Sequence, residues 1–449
     1  MSDLAAAPLP ARQVLRLAAP ALPVLAAEPL YLLVDTAVVG RLGAVPLAGL
    51  AVAAVLFAQV TGQLNFLSYG TTARTARLHG AGRRAEAVAE GVQATWLALA
   101  TGVLVLVVGQ LVAGPVARAL GAQPDIAAGA EAWLRWGLFG APLVLVTLAG
   151  NGWMRGVQDT VRPLWFVLSG NGLSALACAP LVHGIGGWAG LGLVGSALAN
   201  VIGQVVAATL FLGALVREGG RLRVSVRPQP AVLRAQLALA RDLLARSLAF
   251  QACFLSAAAV ATRFGAPTAA AHQIVLQLWA FQALVLDAVA IAAQSLVGAA
   301  LGATDPAAAV RARAVARQVT RYGLILGLLF AVVFAALAGV LPPVFTPDAA
   351  VLAVVPVAWW FFVALQPVAG VVFAIDGVLL GAGDAAFLRT STLLAAVLGF
   401  LPLIWASLGF GWGLAGIWTG LSLFMLIRLV AVLTRLRSGR WAVTGATRP

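Results

Sequence analysis

Five charged side chains interrupt long apolar runs in this chain: Glu28, Asp35, Arg246, Asp287 and Asp376. A charge at membrane depth is costly, so each of them needs a reason. Glu28 and Asp35 stand seven residues apart in EPLYLLVDTAVVGRLG, which puts both carboxylates on one face of a helix. A carboxylate among apolar groups has its charged form disfavoured, the property that a proton-coupling site requires. Pro20, Pro23 and Pro29 share the same run. Each removes a backbone hydrogen bond, so a hinge is expected in this segment. Two readings of Asp35 stay open: a coupling carboxylate, or a solvated residue near the outer end of its span. Glu28 sits deeper. Asp287 in LVLDAVAIAAQ and Asp376 in AIDGVLLGAGD are either functional acids or partners of Arg246 in structural ion pairs.

The remaining polar residues point to no enzyme chemistry. Asn151, Asn171 and Asn200 fall in apolar runs, where hydrogen bonding between helices accounts for them, most simply for Asn151. Asp159 and Asp384 lie in loops and are expected to cap or close turns. His272, in AAAHQIVLQ, is the one histidine with a buried setting, and a single histidine makes no metal site. No HExxH, CxxC or phosphate-binding glycine loop is present. Cys178 and Cys253 read as small buried hydrophobes. No cofactor, metal or catalytic set is expected.

The elements that carry these residues follow from composition. The 449 residues are 62% hydrophobic and 10% charged, whereas a soluble domain carries roughly 25% charged residues. The outer surface must therefore face lipid. Apolar runs near 15–39, 46–70, 91–111, 131–153, 163–183, 191–215, 241–262, 268–300, 320–342, 352–378, 390–409 and 413–434 match the length of membrane spans. The expected fold is an all-α polytopic membrane protein of twelve helices.

All 29 basic residues are arginine, and the formal charge is +14. A nucleic-acid partner would want them on one folded face. Instead they cluster between alternate runs. Arg12 and Arg16 precede the first. Arg74, Arg77, Arg83 and Arg84 follow the second, and Arg155 and Arg162 follow the fourth. Arg217, Arg221, Arg223, Arg227 and Arg234 fill the centre. Arg311, Arg313, Arg317 and Arg389 come later, and Arg435, Arg437, Arg440 and Arg448 follow the last run. The opposite loops hold only Arg41, Arg118, Arg135 and Arg263. Twelve spans with both termini cytoplasmic satisfy the positive-inside rule. The absence of lysine beside abundant alanine and arginine suggests GC-rich coding, hence a bacterial cytoplasmic membrane. The N-terminal MSDLAAAPLPARQVLRL shows no cleavable signal pattern. Trp133, Trp136, Trp188 and Trp412 are expected at the membrane interfaces. Trp153, Trp279 and Trp360 either face a cleft or, on the simpler reading, serve packing.

The two halves repeat. GRLGA at Gly40 answers TRFGA at Thr262, RGVQD at Arg155 answers LGAGD at Leu380, and GLVG at Gly192 answers GLAG at Gly413. Pro142 and Pro367 hold equivalent places. Six spans per half leave both halves in the same orientation, related by an axis along the membrane normal. The expected division is an N-terminal lobe over 1–220, a linker over 221–235, a C-terminal lobe over 236–440 and a tail over 441–449.

Taken in order, several segments resemble the multidrug and toxic compound extrusion (MATE) family, nearest its DinF-like branch. They are LAAPAL, VDTAVVGRLG, YGTTARTARLHGAG, RGVQDTVRPL, GLVGSALAN, AAAHQI and DGVLLGAGD. The resemblance covers about residues 12–436. It implies two six-helix lobes around a V-shaped central cleft, and alternating-access export of cationic or amphipathic drugs in exchange for protons or sodium. It implies a coupling role for Asp35, with Asn171 and Asn200 beside it, and a bend at Pro20. The acid that such proteins carry four positions after that asparagine is Ala175 here. Sodium wants several oxygen ligands, so this departure favours protons. A glutamate of the NorM-like branch is missing from span 7, while Asp376 falls where that branch has a second-lobe acid. The expected partners are a small organic cation and the lipid bilayer, with no nucleic acid, and the protein is expected to be a monomer. The competing readings are a lipid-linked saccharide flippase of the same wider superfamily, a membrane-embedded enzyme, and a non-transporting scaffold.

Overall fold

The computed structural model describes residues 11–121 and 123–447. Arg448 and the opening MSDLAAAPLP lie outside the described residues. In chain order the first helices are α1 (Ala11–Gly40), α2 (Ala44–Gln63), α3 (Phe66–Gly80), α4 (Arg84–Leu120), α5 (Pro124–Gly137), α6 (Ala141–Gly156), α7 (Val161–His183) and α8 (Leu193–Arg221). They are followed by α9 (Pro230–Arg263), α10 (Ala266–Gly302), α11 (Ala308–Ala336), α12 (Leu341–Phe345), α13 (Ala349–Gly381), α14 (Ala385–Ala395), α15 (Leu401–Phe410) and α16 (Gly413–Ser438). Among the described residues, twelve helical segments are long and apolar enough to cross a membrane, which makes this a multi-pass membrane protein. Two compact units form. One spans Ala19–Ala238, and the other gathers the chain from Leu239 together with the start of α1 through Ala18.

The helices outrun the apolar runs. Arg74 and Arg77, expected between spans, lie on α3, and Arg155 lies in the last turn of α6. Arg77 and Arg155 are buried, and Arg74 Nε donates to Glu90 on α4 at 2.9 Å. Hydropathy ends where lipid ends, whereas a helix continues as long as its side chains find partners in the headgroup zone. The two loop aspartates differ from each other. Asp159 closes its turn by accepting from the Arg162 amide at 3.1 Å. Asp384 makes no capping bond and instead accepts from Arg435 at 2.7 Å.

The repeat is visible in packing. In the first unit a Cβ on Gly102 of α4 would lie 2.4 Å from Pro142 Cα on α6. In the second, a Cβ on Gly327 of α11 would lie 2.4 Å from the Gln366 carbonyl and 2.9 Å from Pro367 Cα on α13. Both pairs are 225 positions apart (102 against 327, 142 against 367). The same register takes Gly152 and Gly156, pressed on α3, to Gly377 and Gly381, pressed on α10. Small residues four apart let helix backbones approach closely in lipid. At Gly377 a Cβ would stand 2.3 Å from the Ala290 carbonyl. Gly377→Val should therefore destabilise the unit by about 1–3 kcal/mol or more, read as a lower melting temperature in detergent. An unchanged melting temperature would contradict this packing.

The tryptophans divide differently from expectation. Trp136, Trp188 and Trp412 are exposed, while Trp133 is buried. Its indole N–H donates to Ser196 Oγ at 3.0 Å, so a polar partner inside the unit takes it out of the interface. Trp153 and Trp279 are packed, but Trp360 faces outward, where lipid is the natural contact.

Candidate functional site

The first unit holds a cavity of about 300 Å³ among α1, α2, α5, α6, α7 and α8. Val24, Glu28 and Leu32 line it from α1, spaced by four so that they form one stripe. Phe57, Trp133, Val144, Leu148 and Val167 supply apolar and aromatic wall. Asn171 and Asn200 both reach the cavity, as do Thr61, Asn65, Thr147, Asn151 and Gln204. Among the described residues Glu28 is the one carboxylate on the lining. Among the described residues the Asn151 and Asn200 carbonyl oxygens and the Thr147 hydroxyl have no hydrogen-bond partner. Buried polar atoms are normally satisfied, so unmatched ones on residues that line a cavity suit a polar guest or water there. Asn151 thus lines the cavity, and its carbonyl makes no bond between helices.

Asp35 is not on the lining but behind it. It is 1% exposed, which removes the solvated reading. Cys178 Sγ on α7 donates to Asp35 Oδ1 at 3.3 Å, and Ser196 on α8 lies beside the carboxylate. The Ser196 oxygen accepts from Trp133. Asp35 therefore meets α7 through Cys178, with Ser196 of α8 beside it, rather than through Asn171 and Asn200. Between Glu28 and Asp35, on the same helical stripe, lies Tyr31, which is buried. Its hydroxyl is turned toward Asn200 without a partner within hydrogen-bonding distance. Glu28, Tyr31 and Asp35 so form a file running from the cavity into the helix bundle. Pro20 sits two turns before Glu28 on α1, which is one helix from Ala11 to Gly40 with Pro20, Pro23 and Pro29 inside it.

The second unit treats the equivalent positions in another way. Asp376 on α13 is 5% exposed. Its Oδ2 accepts from Arg246 Nη2 at 2.5 Å and also from Arg428. Both guanidiniums lie over the Phe250 ring, at 5.4 Å and 4.9 Å. Arg428, 2% exposed on α16, is absent from the five charges singled out in sequence, although the run LFMLIRLVAV displays it. Carrying the repeat's loop registers into the helices pairs Arg246 with Val24, Phe250 with Glu28, Asp376 with Asn151 and Arg428 with Ala207. All four counterparts line the cavity of the first unit. Where that unit has space and one carboxylate, the second has two arginines converging on an aspartate. Asp287 lies half-buried on α10 of the second unit. Residues that sequence reasoning passed over are Tyr31, Thr61, Asn65, Thr147, Ser196 and Gln204; the only signal was a polar type recurring in apolar runs.

A family model described as MatE matches residues 20–181 and 243–405, one segment in each half. Protein DETOXIFICATION 44, chloroplastic, of Arabidopsis thaliana is 34% identical over 445 residues, covering 96% of this chain and 83% of that protein. DNA damage-inducible protein F of Escherichia coli (strain K12) is 32% identical over 288 residues, covering 62% of this chain and 61% of that protein. A crystal structure of MATE in the bent conformation superposes with a TM-score of 0.86 at 20% identity, over 96% of this chain and 95% of that one. A MOP superfamily transporter from Pyrococcus furiosus, whose binding pocket is described as having reversed polarity, gives a TM-score of 0.82 at 20% identity over 98% and 97%. At such identity the structural likeness speaks to fold, while the family model spans both halves of the sequence. The chain therefore belongs to the MatE family of membrane transporters, proteins that move solutes and are not enzymes.

Proposed function

We propose that this protein is a proton-coupled antiporter, nearest the DinF-like branch, that exports cationic or amphipathic organic compounds by alternating access. The observation that carries the reading is the cavity of the first unit: an apolar and aromatic wall with one carboxylate, Glu28, on its described lining. Pockets for small organic ligands are mostly apolar with few polar anchors, and an aromatic wall favours a cation. No arginine is on the lining, which argues against a phosphate-linked saccharide as cargo. Proton rather than sodium coupling is supported by the setting of Asp35, whose hydrogen-bond donor is a thiol. A hard cation seeks several oxygen acceptors, and the hydrogen-bond partner that Asp35 has here is a sulfur. In this account, proton uptake at Asp35 changes the file Glu28–Tyr31–Asp35, α1 bends near Pro20, and substrate leaves the cavity. The arginine rhythm supports both termini on the cytoplasmic side, and the lysine-free, alanine- and arginine-rich composition supports a bacterial cytoplasmic membrane. Efflux of a cationic dye from proteoliposomes, with proton and sodium gradients imposed separately, tests the reading. Efflux driven by the proton gradient alone is expected; efflux that runs only on sodium would overturn it.

A further inference from the structure

A second hollow, of about 520 Å³, lies between the first turns of α7 and the last turns of α8. Arg162, Arg217 and Arg221 stand around it with Glu218 among them, and Phe166, Leu210 and Gly213 belong to its apolar part. The charges do not balance. Arg162 is paired with Asp159 and stands 4.0 Å from Glu218, while Arg221 reaches Glu218 at 3.3 Å. Arg217 has no ion-pair partner among the described residues. Three guanidiniums thus share two carboxylates, leaving one positive charge. Trp165, one turn into α7, is 63% exposed, as suits an indole at the headgroup level. A Cβ on Gly213 would meet nothing within 4 Å, so the apolar part is open there.

We propose that this hollow binds an anionic phospholipid, with its phosphodiester held by Arg217 and Arg221 and an acyl chain lying along Phe166 and Leu210. An arginine-rich helix end alone would express only the positive-inside rule. Here the uncompensated charge adjoins an open apolar trough, the combination by which basic pockets between spans hold acidic headgroups on the cytoplasmic side. A soluble phosphate would have no use for the trough, and a neutral lipid none for Arg217.

Lipid titration of the purified full chain in detergent, followed by native mass spectrometry, tests this with phosphatidylglycerol and phosphatidylcholine of identical acyl chains. Phosphatidylglycerol is expected to be retained preferentially. Arg217→Gln and Arg221→Gln should each weaken that retention about fivefold. Gly213→Trp, which fills open space, should remove it without lowering the melting temperature, and glycerol 3-phosphate should not compete. Equal retention of the two lipids, or unchanged retention in these variants, would overturn the proposal. Displacement by glycerol 3-phosphate would overturn it too and mark a soluble-phosphate site.

Discussion

Asp35→Asn should lose proton-driven efflux by about tenfold or more, the scale of a coupling free energy of 1–3 kcal/mol, while the protein stays folded. The substitution keeps the shape of the side chain and an oxygen able to accept from Cys178, so the contact that now measures 3.3 Å has no reason to break. What it removes is a proton-exchanging group. Because Asp35 sits behind the cavity and Glu28 lines it, the variant should still bind a cationic dye with near-normal affinity. The two readouts separate coupling from binding. Lost efflux with retained binding fits the file from Glu28 to Asp35. Full pH-gradient-driven efflux in the variant would exclude Asp35 as the coupling group.

The second large effect is on stability. Asp376→Asn leaves Arg246 and Arg428 facing one another without their carboxylate, and Arg428 is 2% exposed. Removing one partner of a buried ion pair costs about 3–5 kcal/mol, because an uncompensated charge stays behind. The melting temperature in detergent should fall by several degrees and the yield of folded protein with it. Replacing the whole cluster by apolar residues of similar volume should restore much of the loss, since buried ion clusters exchanged for packed apolar groups are often near neutral. A variant that melts like wild type yet fails to transport would instead give Asp376 a direct part in the cycle.

Much of the architecture was legible before any coordinates. Runs of about 20 apolar residues and arginines on alternate connections follow from the bilayer itself, and the glycines that close equivalent turns displayed the repeat. Helix ends were not legible, because a buried arginine such as Arg77 looks the same in sequence as one in a loop. Burial of Asp35 was undecided for a related reason: depth along a span depends on where the neighbouring helices end. Arg428 escaped notice inside a run hydrophobic enough to absorb one charge. The cavity lining was the least legible part. A lone Asn, Thr or Gln in an apolar helix has the same signature whether it bonds another helix or faces a void, and only three-dimensional neighbours separate Asn151 at the cavity from a residue that joins helices. The contrast between the two units emerged when the repeat register was carried inward, where Glu28 meets Phe250 and Asn151 meets Asp376.

The central claim is an obligatory exchange of substrate for protons through Asp35, and proton counterflow tests it most directly. Proteoliposomes in sodium-free buffer, carrying a trapped pH indicator and no initial proton gradient, are given an outward gradient of a cationic dye. The account predicts that dye leaving the lumen drives protons in, acidifying the interior for wild type and leaving Asp35→Asn unchanged. Dye efflux without proton movement, or proton movement that persists in Asp35→Asn, would contradict it.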